Sequence, residues 1–211
     1  MTWWRLSKLQ PRIHLSRRKA GSPPLGAESE PTLVTRQLEL VHLSAAEIVL
    51  LYESPDDDML FADRSFTNPH RVLMNSPGLL RWRVPQVRRN QAVNKWFVRF
   101  MVLRDSQEVV GAISFHGSPN TEGVIEIGYE VHPQFRRRGL GTEALIGMWQ
   151  WALQHPDVRA LRYATGCDNV ASQAVIRKIG FQHRGVQIGE DEGPEDIFEM
   201  TADEFRLSWH A

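Results

Sequence analysis

Three strand-like runs follow one another in the middle of this chain, and they constrain its fold more than any other feature. Residues 96–103, 109–115 and 124–132 are rich in apolar, β-branched and aromatic side chains, and short polar segments join them. Such runs, bounded by turn residues, predict consecutive antiparallel strands. Residues 142–153 then change to a helical period, whose apolar face consists of Ala144, Leu145, Met148, Trp149 and Ala152. A sheet that passes directly into a helix is therefore predicted.

The remaining elements extend this sheet on both sides. They are strands at 32–41 and 160–165, helices at 44–53, 79–93 and 172–178, and a closing hairpin of residues 181–188 and 197–200. Ser44 and Glu47 have the spacing of a capping box, which fixes the start of the first helix. The order predicts an α/β fold with one mixed, mostly antiparallel sheet flanked by helices, in a single domain of residues 32–211.

Residues 1–31 differ from the rest of the chain in composition. Six basic and no acidic residues precede Glu28, and prolines interrupt the segment. A basic segment without apolar periodicity predicts a flexible leader, and the lack of an apolar signal core argues against secretion. Three interpretations stay open: an organellar transit peptide, an arm that touches RNA or anionic lipid, and a disordered extension upstream of the domain.

The overall composition excludes several classes of protein. The chain balances 25 Lys and Arg against 25 Asp and Glu, and 42% of its 211 residues are hydrophobic, as in an ordinary globular domain. No run approaches the ~18 apolar residues of a spanning helix, so no membrane insertion is expected. A lone Cys167 excludes an internal disulfide, fits a cytoplasmic location, and is interpreted as a small buried residue.

The turn between the third strand and the long helix has the composition of an anion site. Residues 136–141 read Arg-Arg-Arg-Gly-Leu-Gly. The first amides of a helix lack intrahelical partners and carry partial positive charge. Gly139 and Gly141 would let a phosphate approach the main chain, and the arginines add formal charge. The segment matches neither a Walker loop nor a Gly-x-Gly-x-x-Gly turn, yet it suits a bulky diphosphate.

Two motifs then resemble one known family. Arg136-x-x-Gly139-x-Gly141, after the strand segment at 126–133, resembles the acetyl-CoA signature of the GCN5-related N-acetyltransferases, abbreviated GNAT. Residues 169–181, which read Asn-x-x-Ser-x-x-Val-x-x-Lys-x-Gly-Phe, resemble the second signature of that superfamily. The pair most resembles the branch that contains the ribosomal-protein alanine N-acetyltransferases, and the resemblance covers roughly residues 32–205.

The resemblance implies an enzyme that moves the acetyl group of acetyl-CoA to a primary amine, without a metal. The acceptor would be a protein N-terminal α-amine or a small-molecule amine, which attacks directly in a ternary complex. The central strands would splay apart, and pantetheine would pair with the main chain of one of them. The residues implied to bind acetyl-CoA are Tyr129, Val131, Arg136, Arg137, Arg138, Gly139, Leu140, Gly141, Thr142, Asn169 and Lys178.

Glu126 and Ser172 are the candidate catalytic residues. Glu126 matches the strand position of the general-base glutamate in the histone acetyltransferases of this superfamily, so the resemblance implies a base that acts directly or through water. An ion-paired surface carboxylate is the alternative interpretation. Where relatives often place a tyrosine acid, this chain has Ile176, so either the thiolate leaves unassisted or a hydroxyl group supplies the proton. The available hydroxyl groups are those of Ser172, Tyr163 and Tyr129.

Two other classes of function stay open. A non-catalytic acyl-CoA-binding or regulatory module would need no acid, which fits the missing tyrosine. An RNA- or ribosome-associated protein would use the basic leader and the arginines at 81–89. Under the enzyme interpretation, nucleic acid is not an expected partner. The acceptor and the oligomeric state, with a homodimer as one option, are not determined.

Overall fold

The computed structural model describes residues 30–57, 59–75, 78–189 and 193–209. The strands are β1 (Leu33–Val34), β2 (Leu38–His42), β3 (Arg99–Leu103), β4 (Val109–Phe115), β5 (Val124–Val131), β6 (Ala160–Gly166), β7 (Gln182–Gly189) and β8 (Gly193–Thr201). The α-helices are α1 (Ala45–Glu53), α2 (Gly78–Arg89), α3 (Leu140–Ala152), α4 (Val170–Ile179) and α5 (Ala202–Ser208). Short 3-10 turns occupy Gln91–Trp96 and Pro133–Phe135.

The strands form one sheet in the order β1-β2-β3-β4-β5-β6-β8-β7. Neighbouring strands in the described ranges pair antiparallel, except β5 and β6, which are parallel. The predicted mixed, mostly antiparallel sheet is therefore confirmed. Helices α3 and α4 cover the face that carries Tyr129 and Tyr163, while α2 lies on the opposite face, where Arg83 contacts Ser114.

The parallel pair β5–β6 is paired over only part of its length. Its ladder joins Val124 to Ala160, Ile125 to Leu161 and Glu126 to Arg162, and it ends there. Beyond Glu126, β5 continues to Val131 while pairing only with β4, and β6 continues to Gly166 while pairing only with β8. The two central strands therefore splay apart as predicted and expose main-chain groups along the gap.

Three predicted boundaries were wrong for local reasons. The single strand at 32–41 is a tight hairpin of β1 and β2, because the Glu143 carboxylate accepts hydrogen bonds from Thr35 Oγ1 (2.6 Å) and the Gln37 amide (2.5 Å) and holds the turn against α3. The helix at 79–93 ends at Arg89, where the Asn90 side chain caps the following 3-10 turn. That turn includes Trp96, so β3 begins only at Arg99.

The start of the chain is only partly described. The prediction of a flexible leader concerns residues 1–31, of which residues 1–29 lie outside the described residues. Glu30 and Pro31 contact the domain: the Glu30 amide donates to Nδ1 of buried His42 (3.0 Å), and the Pro31 carbonyl accepts from buried Arg99 (2.8 Å). The contacts of the domain thus begin two residues before the predicted boundary at residue 32.

The capping box at α1 is confirmed. The Glu47 amide donates to Ser44 Oγ (3.2 Å), and the Ser44 amide donates to the Glu47 carboxylate (2.7 Å). Glu47 is buried and also pairs with Arg64 at 2.6 Å. Because this carboxylate satisfies the first turn of α1 and one arginine together, it fixes α1 on the sheet beside α2.

Candidate active site

The loop before α3 presents a run of unpaired main-chain amides. The amides from Arg137 to Thr142 donate no hydrogen bond within the described part of the chain. Arg137 and Gly139 both have positive φ, 64° and 80°, which turns successive amides outward into a concave nest. A Cβ at Gly139 would meet no atom within 4 Å, so the space in front of the loop is open. This arrangement fits a diphosphate, since unpaired amides at a helix start attract anions.

Gly141 has a packing role that the sequence did not predict. A Cβ at this position would lie 2.5 Å from Cε2 of Tyr129, far inside van der Waals contact. The ring of Tyr129 therefore packs directly on the first turn of α3. The glycine allows β5 and α3 to approach each other, whereas the sequence had suggested that it makes room for a phosphate.

Three arginines surround the opening of the nest. Arg136 donates from Nε to the Val131 carbonyl (2.9 Å), and Arg138 lies over the ring of Phe135 at 5.2 Å. Arg136, Arg137 and Arg138 are all exposed. Positive charge is therefore concentrated at the rim, and Arg136 also closes the end of β5.

On the side of β5 that faces the gap, the main chain of Tyr129 is free to bind a ligand. The His116 amide donates to the Glu126 carbonyl, which shows that Glu126 turns its main-chain groups toward β4. Because a strand alternates, Ile127, Tyr129 and Val131 turn theirs toward the gap. Because Arg136 donates a hydrogen bond to the Val131 carbonyl, the free main-chain N–H and C=O groups at the centre of this side are those of Tyr129.

A cluster of hydroxyl groups lies at the gap on the helix-covered face toward α4. The hydroxyl of Tyr129 lies close enough to those of Tyr163 and Ser172 for both to act on its pKa, and Thr165 acts likewise on the pKa of Tyr163. The rings of Tyr129 and Tyr163 are 6.0 Å apart between centroids. Burial raises the pKa of both tyrosines, so both are protonated at neutral pH and can donate. The three hydroxyl groups that the sequence offered as separate options therefore lie together in one cluster.

The other residues of the second motif differ in burial and in their distance from the gap. Asn169 caps α4, since its Oδ1 accepts from the Ser172 amide (3.1 Å). Ile176 is fully buried in the core and has no proton to donate. Lys178 is exposed in the last turn of α4, about 13 Å along the helix axis from Asn169. The roles of Asn169 and Lys178 toward a ligand stay predictions.

Glu126 lies on the opposite face of β5, within a set of charged side chains. Its Oε1 is 3.0 Å from Nδ1 of His116, and Arg83 and Arg162 lie close enough to act on its charge. Burial raises the pKa of this carboxyl, but the hydrogen bond and charge of His116, with the charges of Arg162 and Arg83, outweigh burial and lower it. Glu126 is therefore an ionised carboxylate at neutral pH, with His116 beside it.

Sequence reasoning missed most of the partners of Glu126. His116 was not among the candidate residues, although the register of the β4–β5 hairpin would have placed it across from Glu126. Arg83 was seen only as part of a basic cluster, yet it is buried and its Nε donates to Ser114 Oγ (3.3 Å). No local pattern distinguishes Arg83 from its exposed neighbours on α2.

One further expectation concerns a residue away from this site. Cys167 was expected to be buried, and this was wrong, because it lies exposed in the turn between β6 and α4. Among the described residues, no group of three or more His, Cys, Asp or Glu side chains has metal-binding geometry. No helix in the described ranges has the length and apolar character needed to cross a bilayer.

Comparison with known proteins identifies the family. The model of the acetyltransferase (GNAT) domain matches residues 42–182. YjdG of Bacillus subtilis, an uncharacterized N-acetyltransferase, is 34% identical over 88 residues, which are 42% of this chain and 51% of YjdG, so the chain spans about half of that relative. Two solved structures share the fold at low sequence identity.

The first of these is RimL, the ribosomal L7/L12 α-N-protein acetyltransferase, in complex with coenzyme A, with a TM-score of 0.56 at 18% identity over 82% of this chain and 99% of RimL. The second is MccE, the microcin C7 self-immunity acetyltransferase, in complex with acetyl-CoA and AMP, with a TM-score of 0.53 at 16% identity over 79% and 93% of the two chains. The family model covers well over half of the sequence, and the chain belongs to the GNAT family of acetyl-CoA-dependent acetyltransferases.

Proposed function

We propose that this protein transfers the acetyl group of acetyl-CoA to a primary amine by direct attack in a ternary complex. The observation that carries the proposal is the nest of unpaired amides from Arg137 to Thr142, which lies at the open end of the β5–β6 gap. One wall of that gap bears the hydroxyl cluster, and the other face of β5 bears Glu126. An anion site, an unpaired strand edge and two kinds of proton-carrying group thus lie around one opening.

The donor side is built mainly from the main chain. The amides of the nest would hold the diphosphate, and the free N–H and C=O of Tyr129 would hold the pantetheine arm as an added strand does. Acetyl-CoA, when bound, supplies an acetyl thioester that is activated toward amines. The proposed donor-binding residues are Tyr129, Val131, Arg136, Arg137, Arg138, Gly139, Leu140, Gly141, Thr142, Asn169 and Lys178.

The two proposed catalytic residues move protons in opposite directions. Amines have ordinary pKa values of about 8 to 10, so the acceptor arrives mostly as an ammonium ion and must lose a proton before it can attack. Glu126, ionised on the acceptor side of β5, is the base, directly or through an intermediate group. Ser172, in the cluster with Tyr129 and Tyr163, returns a proton to the departing thiolate.

The hydroxyl cluster favours an enzyme over a non-catalytic acyl-CoA-binding module. The missing tyrosine at Ile176 was the reason to consider such a module. Ser172, Tyr129 and Tyr163 together provide protonated donors at the gap, so this reason no longer holds. For the acceptor, we favour a protein N-terminal α-amine, the class of substrate that the name of RimL gives for that protein, with small-molecule amines as the second option. We place the enzyme in the cytoplasm, where an exposed cysteine stays reduced.

A thiol-release screen tests the proposal. The full chain is incubated with acetyl-CoA and with panels of peptides, polyamines, amino acids and aminoglycosides, and free CoA is measured with a thiol reagent. We expect turnover with one amine class and its loss in Glu126→Gln. Calorimetric binding of CoA without turnover across all panels would contradict the proposal and support the binding module.

A further inference from the structure

We propose that Nε2 of His116 is the atom that receives the proton of the acceptor ammonium, with Glu126 as the carboxylate that orients it. This inference rests on the proposed function and makes the route of the proton specific. His116 then takes the place of the water molecule that the sequence interpretation had allowed between Glu126 and the amine.

Two contacts with β5 fix the position of His116. Its amide donates to the Glu126 carbonyl at 2.8 Å, which extends the β4–β5 ladder by one residue past Phe115. Its Nδ1 lies 3.0 Å from Glu126 Oε1. Main chain and ring are therefore both held to the same residue, and the ring cannot turn its Nε2 edge toward the carboxylate without losing the second contact.

The second ring nitrogen lies beside Gly128, two residues farther along β5 than Glu126 and past the last β5–β6 pair. A Cβ on Gly128 would be 3.2 Å from Nε2, so the imidazole lies over the Cα of Gly128. Gly128 directly precedes Tyr129, whose main chain faces the gap, whereas Glu126 is two residues back, about 7 Å along the strand. Glu126 also belongs to the last pair of the β5–β6 ladder, opposite Arg162, where the gap is still closed.

The charges around the pair suit this division of roles. Glu126 interacts with Arg83 of α2 and Arg162 of β6 in addition to His116, and its lowered pKa makes it a weak proton acceptor. The same carboxylate is well suited to accept from Nδ1–H and to stabilise an imidazolium ion. Within the described part of the chain, the carbonyl of His116 accepts a hydrogen bond from the neutral Gln86 side-chain amide of α2 (3.4 Å) and from no charged group.

The His116 ring is also accessible to an acceptor. Its side chain is 48% exposed, compared with 22% for Glu126. Glu130, the other carboxylate on this face of β5, lies four residues beyond Glu126, about 13 Å along the strand. An ammonium ion that approaches the gap from this face therefore meets Nε2 before it can reach the Glu126 carboxylate.

Each of the three protons of the acceptor ammonium ion has a defined destination. An ammonium N–H bond breaks and an Nε2–H bond forms, while Nδ1–H stays on the Glu126 carboxylate; the imidazolium then releases this proton to water. After the neutral amine has attacked, the acceptor nitrogen loses a second proton to Nε2 of His116, which releases it to water. The CoA thiolate takes a proton from the hydroxyl of Ser172, and that hydroxyl takes one back from water. The third proton stays on the amide product. The net release is one proton per acetyl group transferred.

Kinetics of matched variants test the assignment. His116→Gln should lower kcat/KM by about 100-fold or more, the usual contribution of a general base, with CoA affinity unchanged. The matched control is His183→Gln, because His183 on the outermost strand β7 is 45% exposed and pairs with Asp196 at 2.6 Å. It should stay within about twofold of the wild type. The double variant His116→Gln, Glu126→Gln should be no slower than the more impaired single variant, as for groups that act as one unit.

Two further readouts separate a catalytic from a structural role. Free imidazole should restore turnover to His116→Gly in a saturable manner. A base that must be neutral to accept a proton gives kcat/KM an acid limb, and this limb should be present in the wild type and absent in His116→Gln. In the protein without substrates, ring ¹⁵N shifts should show His116 with its proton on Nδ1, and Glu126→Gln should shift it toward the other tautomer.

The outcomes distinguish the two proposals. If the wild type releases CoA, but His116→Gln keeps its rate and its acid limb, the inference about His116 is wrong and Glu126 acts directly or through water. If imidazole fails to rescue His116→Gly while the ring ¹⁵N shifts place the proton on Nε2, the inference is wrong as well. If the wild type shows no turnover with any amine, the proposed function itself fails, whatever the state of the ring.

Discussion

The two sides of the β5–β6 gap are built from different kinds of group. On the donor side, the proposed binding groups are mainly main-chain amides of one continuous loop, Arg137 to Thr142. On the acceptor side, they are side chains from four elements: Arg83 of α2, His116 after β4, Glu126 of β5 and Arg162 of β6. A main-chain site depends on the shape of one turn, whereas a side-chain site depends on the register of several elements. Substitutions should therefore affect the two sides independently.

The largest effect is expected from Glu126→Gln. Removal of this charge leaves the base without its carboxylate and should lower kcat by about 100-fold or more. CoA affinity, measured by calorimetry, should stay within about twofold of the wild type, because no donor-side group contacts Glu126. A parallel loss of CoA affinity would show that the two sides are not independent.

Ser172→Ala should have the next largest effect, about 10- to 100-fold on kcat, since one member of the hydroxyl cluster that protonates the thiolate is lost. Tyr129→Phe tests the same cluster from β5 and should slow the reaction by a similar factor. Both rates are measured by thiol release with the preferred amine. Unchanged rates in both variants would mean that the thiolate leaves without assistance.

Gly141→Ala and Gly139→Ala should weaken CoA binding for different reasons. The added methyl at Gly141 collides with the Tyr129 ring at 2.5 Å and should cost about 1 to 3 kcal/mol of unfolding free energy, besides about tenfold in CoA affinity. At Gly139 the space is open, but φ is +80°, so the methyl should cost about 1 kcal/mol through backbone strain. Denaturant unfolding and calorimetry measure both effects. Equal destabilisation in the two variants would contradict the packing argument.

The smallest effects are expected at the rim arginines. Arg138→Gln should weaken CoA binding only about three- to tenfold, because the guanidinium is exposed and its charge is screened. The loss should shrink further at high salt. Arg136→Gln should have the larger effect of the two, since Arg136 also occupies the Val131 carbonyl. A 100-fold loss in either variant would mean that side chains, not amides, carry the affinity.

The same contrast explains how much could be predicted from the sequence. The donor loop was found because the turn, the glycines and the following helix are adjacent in the chain, although the packing of Tyr129 against Gly141 was not predicted. The order of elements along the chain came from the periodicities of the sequence, whereas the splay of β5 from β6 was implied by the resemblance to the family. The pairing of His116 with Glu126 needed the hairpin register, and the burial of Arg83 needed the packing of α2, neither of which a local pattern contains.

The convergence of Tyr129, Tyr163 and Ser172 shows the same limit. Each hydroxyl was recognised as a proton donor, but they come from two strands and a helix that meet only in the folded chain. Trp96 shows an error in which the local pattern itself misled. The apolar run that contains Trp96 predicts a strand, but Trp96 is the last residue of a 3-10 turn, and its ring packs against Phe115 and Trp151.

An NMR titration of the ¹⁵N-labelled protein with CoA examines the nest of amides without any assumption about the acceptor. We expect the amide signals of residues 137–142 to show the largest shifts and to saturate together, while pantetheine, which lacks the diphosphate, leaves them in place. Saturation by CoA with shifts elsewhere and none in this loop, or no shift of any amide at millimolar CoA, would contradict the assignment of this site.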